Sequence, residues 1–284
     1  MDLAALTIFK SVVDHGGVNK AAAKLHRVPS NVTTRIKQLE EQLGAKLFLR
    51  VGRRLTLSAE GKLLLPFADQ LLRLSSEAEA ALRNGKPRGT LRIGALESTA
   101  ASRLPPVLSR YHELYPDVQI ELVTGTSGAL VSHVHKQDVE AAFVAEPFNA
   151  DDLDTQTVFV EELVLITPKS FDPIRSAKDI GNRTVIAFSA GCSYRQRLEA
   201  WLGSSKVLPD RVIEFQSYHA IIACVAAGSG IAIVPRAVLE LTSAAHNVMM
   251  TALPANVAKA RTQLVWRRNH HSIALEAMKN LFGE

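Results

Sequence analysis

A small helical head carrying a two-stranded wing, followed by an α/β body in two lobes, is the architecture this sequence predicts. Three observations point to it. Residues 1–58 show helical apolar spacing broken by short turns and end in two short β-prone runs. From Ser58 to about Asn84-Gly85 one long helix keeps a heptad-like apolar step. Beyond Gly89, short apolar runs alternate with helical segments, the βαβ rhythm of a mostly parallel sheet. The domains expected are therefore a winged helix-turn-helix over 1–58, a linker helix and hinge over 59–88, and an α/β domain over 89–284. In that domain, lobe 1 takes 89–161 and 267–284, and lobe 2 takes 162–266.

In the head, Leu3, Leu6, Phe9 and Val13 recur at helical spacing, and His15-Gly16-Gly17 ends that helix. Asn19 is placed to cap a second helix, Lys20–Leu25, whose three alanines allow close packing. After the turn His26-Arg27-Val28, Pro29 fits a first helical position, where its missing N–H costs nothing. The third helix runs to about Leu43, with Val32, Ile36, Leu39 and Leu43 inside and Gly44 as its stop. Two helices joined by a short turn, the second rich in Ser, Asn, Thr, Arg and Lys, form a helix-turn-helix pattern. Leu47–Arg50 and Arg54–Leu57 pair as a wing around Val51-Gly52-Arg53.

Ser58 caps the linker helix. Its seam reads Leu64, Ala68, Leu71, Ser75, Ala78 and Leu82. The seam either pairs with a second copy, which a helix between two domains favours, or packs on the chain's own body. Gly85–Gly89 is a hinge. The strands expected beyond it are Leu91–Ala95, Val118–Thr124, Ala141–Ala145, Glu162–Thr167, Thr184–Phe188, Val212–Gln216, Ile231–Val234 and Thr262–Trp266. Ser102–Tyr115, Tyr194–Leu202 and His219–Ala227 are helices between them.

Residues 1–89 hold 15 Lys and Arg against 8 Asp and Glu, a net +7, whereas the whole 284-residue chain is +5. A basic head on a mildly acidic body suits a polyanion partner for the head alone. Two cysteines, Cys192 and Cys224, make no disulfide framework. Together with the lack of a signal-peptide pattern or a membrane-length apolar run, they point to a cytoplasmic protein. Cys224 reads as core and Cys192 as the more accessible thiol.

The segments AAAKLHRVPSNVTTRIKQLEEQLGAKLFLR and RRLTLSAEGKLLL resemble the N-terminal signature of LysR-type transcriptional regulators. LRIGALESTAASRLPPVLSRYHELYP and AAGSGIAIVPR resemble that family's effector domain. The likeness spans the chain in order. It implies a periplasmic-binding-protein-like effector domain with a ligand cleft between its lobes, double-stranded promoter DNA as partner, and tetramers built from dimers. Where the family often has Ser-Gln-Ser/Pro-Ala and then Ser-Arg, this chain has Val28, Pro29, Ser30, Asn31, then Thr33, Thr34. The usual Arg is missing at Thr34, which implies an atypical base preference. GALESTAA, CSYRQRLEAWL, SYHAIIACVAAGSGIAIVPR and LVWRR are similar to members tied to putrescine and γ-aminobutyrate breakdown.

The DNA-contact candidates are Pro29, Ser30, Asn31, Thr33, Thr34, Arg35 and Lys37 on the third helix, with Arg50, Arg53 and Arg54 around the wing. An exposed polar face with no partner is the plain alternative. For Arg50 it is a structural bond within the wing. The effector candidates follow strand ends, where α/β ligands bind. They are Glu97, Ser98 and Thr99; Ser127 in a small-residue loop; Glu146 near the lobe crossing; and Cys192, Ser193, Tyr194 and His219 in the other lobe. Tyr218 and Arg195 stand beside them. Helix capping or ordinary burial would explain several of these as well. Glu97 suits an amine ligand and would repel an anion. No nucleophile elbow, phosphate loop or metal-ligand spacing is present, so neither an enzyme nor a resident cofactor is expected.

Overall fold

The computed structural model describes residues 1–51, 54–82 and 86–283. The chain forms two compact units, Met1–Lys86 and Pro87–Glu284. The first contains α1 (Leu3–Asp14), α2 (Val18–Lys24), α3 (Pro29–Leu43), β1 (Phe48–Val51), β2 (Arg54–Leu57) and α4 (Ala59–Leu82).

Asp2 caps α1 by accepting from the Ala5 N–H at 2.7 Å. Ala5, Leu6, Ile8, Phe9 and Val12 turn inward against Ala21, Ala22, Val32, Ile36, Leu39 and Leu47. The buried stripe of α1 is thus turned from the expected one: Leu3 is exposed and Val13 only half-buried. The second helix begins at Val18, with Gly17 rather than Asn19 at its cap, because Gly17 already carries the non-helical backbone. Gly44, with φ 65°, ends α3 in the left-handed conformation that glycine adopts freely. β1 and β2 pair antiparallel, from Phe48 with Leu57 to Val51 with Arg54.

Two buried polar groups fix the junctions of this unit. Glu40, at the end of α3, accepts from Lys46 Nζ at 2.8 Å and from the N–H groups of Leu47 and Phe48 at 2.9 and 3.3 Å. Burial opposes its charge, but these bonds outweigh that and hold its carboxyl below the usual range. Ser58 accepts from the Gly61 N–H at 2.8 Å and donates to the Lys46 carbonyl at 2.5 Å, capping α4 onto the wing. A Cβ at Gly61 would collide with the Leu47 carbonyl oxygen, so only glycine allows this contact.

The linker seam needs correction. Ala68 is fully buried in the head's own core, and Leu64, Leu65 and Leu72 pack against that core. Lys10 on α1 and Asp69 on α4 form an ion pair at 2.8 Å. The exposed apolar row is Leu63, Phe67, Leu71 and Leu74, at steps of four, four and three, and it shares only Leu71 with the expected seam. The expected seam mixed these two faces. Its last residue, Leu82, has no described side chain.

The second unit contains β3 (Gly89–Ala95), α5 (Glu97–Ser102), α6 (Leu104–Leu114), β4 (Val118–Thr124), α7 (Ser127–His135), β5 (Ala141–Ala145) and β6 (Leu153–Pro168). It continues with β7 (Val185–Phe188), α8 (Ser193–Ser204), β8 (Val212–Phe215), α9 (Tyr218–Ala226), β9 (Ala232–Pro235), α10 (Arg236–Glu240), β10 (Val248–Ala252), α11 (Ala255–Ala258), β11 (Lys259–Arg267) and α12 (Ile273–Asn280).

Lobe 1 is the sheet β4-β3-β5-β11-β6, and the far half of β6 carries β10 and β9 on its two edges in lobe 2. β7 and β8 pair in parallel beside β9, through a bridge from Val185 to Ile231. The expectation of a mostly parallel sheet fails. β3 pairs in parallel with β4 and β5, but every partner of β6 and β11 is antiparallel. The reason lies in β6. Its polar first half, Leu153–Glu162, pairs along β11 in lobe 1, and its apolar second half enters lobe 2. Apolar patterning picks out only that second half as a strand, which puts the expected lobe boundary in mid-strand. It also gave Thr262–Trp266 to lobe 2, whereas they pair with β5 in lobe 1. The helix expected over Ser102–Tyr115 is present as Leu104–Leu114, and a short helix, Glu97–Ser102, precedes it across Arg103.

Candidate functional site: a DNA-reading helix and an interlobe cleft

On α3 the buried positions Val32, Ile36 and Leu39 seat the helix. Pro29, Ser30, Asn31, Thr33, Thr34 and Lys37 are all exposed. Thr33 Oγ1 donates to the Pro29 carbonyl at 2.9 Å, which holds that side chain along the helix. Val28, just ahead of the helix, is 62% exposed. Arg35 differs from its neighbours: it is half-buried on the helix flank, its guanidinium 3.9 Å from the Asp2 carboxylate. Arg50 is exposed on β1, and Arg54 opens β2 opposite Val51. Arg53 lies outside the described residues.

The cleft is assembled from segments far apart in sequence. Glu97, Ser98 and Thr99 open α5 after β3; Thr126 caps α7 after β4; Phe188, Cys192 and Tyr194 lie where β7 passes into α8; Tyr218 opens α9. All of these but Thr99, together with Leu96, Gly125 and Ser193, line a cavity of about 10 Å³, room for roughly one water. Gly191, with φ 89°, brings the lobe 2 loop against Thr126 Oγ1, where a Cβ would sit at 3.0 Å.

Buried polar atoms without partners mark this cleft. Glu97 Oε2, Ser98 Oγ, Thr99 Oγ1, Tyr194 OH and Thr262 Oγ1 are all buried without a hydrogen bond of ordinary geometry. Ser98, Thr99 and Tyr194 are 2%, 1% and 3% exposed. The Tyr194 hydroxyl lies near those of Ser98 and Thr262, and burial pushes its pKa well up. Burial also raises Glu97, against a smaller opposing pull from the Tyr218 N–H and His219. Among the described residues no Lys or Arg lines the cavity. Orphaned buried oxygens cost free energy unless something supplies their bonds, so the cluster is suited to a polar ligand.

Other candidates have different work. Ser127 and Ser193 are buried, but they bond each other across the lobes at 2.8 Å. Ser193 Oγ also lies 2.6 Å from the Ala145 carbonyl, and Ser127 Oγ accepts from the Ala145 N–H at 3.2 Å. Their hydroxyls thus latch the two lobes together, and Ser193 also lines the cavity. Glu146 is held by Gln263 through its carboxylate and by Arg197 through its carbonyl, away from the cavity lining. His219 is exposed, and Arg195 pairs with Glu199 and Glu214. Cys192 is 5% exposed and Cys224 is the less buried of the two, the reverse of the expectation. Burial also pushes the Cys192 thiol up, against a thiolate.

Thr262 and Phe188 were missed. So was Arg103, whose guanidinium grips the buried Glu161 with two bonds at 2.8 and 2.9 Å. These groups meet through the sheet, and no local motif announces them.

A winged helix-turn-helix joined to a two-lobed domain with a polar interlobe cleft defines a ligand-responsive DNA-binding regulator. Residues 3–62 match the bacterial regulatory helix-turn-helix proteins of the lysR family, and residues 84–284 match the LysR substrate binding domain. The chain belongs to the LysR family of transcriptional regulators. It is 39% identical over 240 residues to the HTH-type transcriptional regulator GltR of Bacillus subtilis, covering 84% of this chain and 81% of that one. It is 38% identical over 270 residues to the uncharacterized HTH-type transcriptional regulator YusT of the same organism, covering 95% and 90%. Such relatives are named regulators, not enzymes. Full-length OxyR from Pseudomonas aeruginosa shares the fold with a TM-score of 0.73 at 18% identity, covering 100% of this chain and 94% of that one. CbnR in complex with its target DNA does so with a TM-score of 0.72 at 20% identity, covering 100% and 99%.

Proposed function

We propose that this regulator binds promoter DNA through α3 and the wing, as a dimer or as a tetramer built from two dimers, in the cytoplasm. We further propose that a small polar metabolite carrying an amine, bound between the lobes, controls it. The observation that carries the effector reading is the set of partnerless buried oxygens on Glu97, Ser98, Thr99, Tyr194 and Thr262. A carboxylate among hydroxyls, with no Lys or Arg lining the cavity among the described residues, favours an ammonium group over an anion. Control of polyamine catabolism is the narrower form of this reading. It rests on the sequence likeness to putrescine-linked members, a role that neither GltR nor YusT carries in its name.

Self-association is supported by the exposed row on α4, where Leu63 and Phe67 are 68% and 55% exposed. Such a row at coiled-coil spacing gains by burial in a second helix. Phe67→Lys should yield a smaller species in sedimentation, and an unchanged oligomer would remove α4 as the dimerising element.

Calorimetry with a diamine and a dicarboxylate, on the native protein and on Glu97→Gln, tests the effector. The amine should bind the native protein and weaken by about 1.5–3 kcal/mol in the variant, the worth of a charge-assisted bond. Dicarboxylate binding that Glu97→Gln leaves intact, with no amine response, would overturn the amine reading and leave the regulator standing.

A further inference from the structure

Lobe 2 holds an apolar cavity that the interlobe cleft does not account for. It has a volume of about 210 Å³ and lies between α8 and the β7-β8 pair. Val185 and Ala187 of β7, Leu198 and Leu202 of α8, Val207 and Val212 of β8 line it. Leu208 lines it too and is 82% exposed. Apolar walls that face empty space or water forgo both contact and burial, so an apolar occupant would stabilise them.

Gly203 also lines the cavity, in the last turn of α8. Glycine weakens a helix relative to alanine. No left-handed backbone calls for it here, and a Cβ would meet nothing within 4 Å. Neither conformation nor crowding excludes a side chain, and what the missing one leaves is space. The charged groups on the wall are Arg195 and Glu199. The Arg195 guanidinium donates to Glu199 at 2.7 Å and to Glu214 at 2.5 Å. Two carboxylates around one cation leave a net negative charge there, which is unsuited to an anion.

An apolar cavity of about 150 Å³ stays dry and takes up benzene. We infer that lobe 2 carries a second ligand site, for a small uncharged apolar molecule of roughly one or two rings, apart from the polar site between the lobes. The inference does not rest on the amine reading of the cleft.

Indole serves as the probe, titrated by calorimetry into the full-length protein. It should bind saturably, one molecule per chain. Gly203→Leu puts a side chain into the space and should weaken indole by about tenfold or more, while thermal unfolding stays where it was or rises. Val212→Phe, from β8, should do the same and stands in if the first variant does not fold. Indole-3-carboxylate should bind about tenfold more weakly than indole. Because α8 also carries Tyr194 into the cleft, Glu97→Gln tells the two sites apart, and it should leave indole binding unchanged.

No saturable indole binding, or binding that survives both cavity variants, would overturn the inference. So would a carboxylate that binds as well as indole. Indole binding lost in Glu97→Gln and kept in Gly203→Leu would assign the probe to the cleft and overturn it too. A changed sedimenting mass in Gly203→Leu, with no indole binding in the native protein, would mean that a second copy of the chain fills the cavity instead.

Discussion

Glu40 and Ser58 in the head and the interlobe cleft in the sensor treat buried polar groups in opposite ways. In the head, Glu40 and Ser58 have every near donor or acceptor engaged, and the polar row of α3 lies outside in water. In the sensor's cleft, hydroxyls and one oxygen of the Glu97 carboxylate are taken inside without a hydrogen bond of ordinary geometry. A surface that meets DNA can stay solvated until the partner arrives. A cleft that selects one metabolite has to hold its polar atoms away from water beforehand, and that lowers the stability of the ligand-free domain.

The largest expected effect lies at the tightest contact of the head. Gly61→Ala forces a methyl into the Leu47 carbonyl and against Leu57, backbone and side chain that the wing holds in place. We expect a loss of about 3 kcal/mol in denaturant unfolding, an overpacking cost, together with weak DNA binding. Calorimetric binding of an effector should be unaffected, because the lesion sits in the other compact unit. Equal damage to both activities would break the separation between the two regions.

Glu40→Gln should come next. It replaces a charged acceptor of one ammonium and two N–H groups, at a cost of about 2 kcal/mol. The sign of its pH dependence follows from the lowered pKa. The native contribution is complete above the ordinary carboxylate value, about pH 4.3, and is lost as pH falls through the folded value. Acid titration of unfolding should show this loss in the native head and not in the variant.

This contrast also explains what could be read in the sequence. The head announces itself because its elements are local: the spacing of Val32, Ile36 and Leu39 leaves Ser30, Asn31 and Thr34 facing water. The apolar spacing of α4 merges two faces, one for the head's core and one exposed, so the seam expected from it mixes Leu64 and Ala68 with Leu71. The strand ends after β3 and β7 flagged Ser98, Thr99 and Tyr194. Nothing in the sequence separates Ser193, which is bonded, from Ser98, which is not. That distinction arises only when α7 and α8 meet across the lobes. Thr262 joins the cleft through the antiparallel turnaround of β6 and β11, a pairing that the βαβ rhythm conceals.

Two serines sharpen the comparison within the sensor. Ser193→Ala removes the latch to Ser127 and Ala145 and should cost about 1–2 kcal/mol of ligand-free stability. Ser98→Ala removes an orphaned hydroxyl, so ligand-free stability should hold or rise slightly, while the same change weakens effector binding. Thermal unfolding with and without ligand reads both. A Ser98 variant as destabilised as the Ser193 variant would mean that Ser98 has a partner inside the folded chain, and the opposition between head and sensor would fail at that residue.

The smallest effect belongs to Glu97, where the sign is the whole content. Burial raises its pKa in the folded chain above the unfolded value. The folded state therefore holds its proton more tightly, and stability falls as pH rises from the ordinary carboxylate value through the raised one. Glu97→Gln should flatten that fall and leave the ligand-free domain as stable as the native one, or slightly more so, at neutral pH. An ammonium ligand reverses the preference, because it binds the ionised carboxylate. Its affinity should climb with pH across the same window, and binding within that window should release a proton, seen as a dependence of the calorimetric heat on the buffer's ionisation enthalpy. A dicarboxylate would instead bind the protonated form, take up a proton and lose affinity as pH rises. The direction of proton exchange thus distinguishes the two ligand classes even where the affinity changes are small, and it reports on Glu97 only if Glu97→Gln abolishes it.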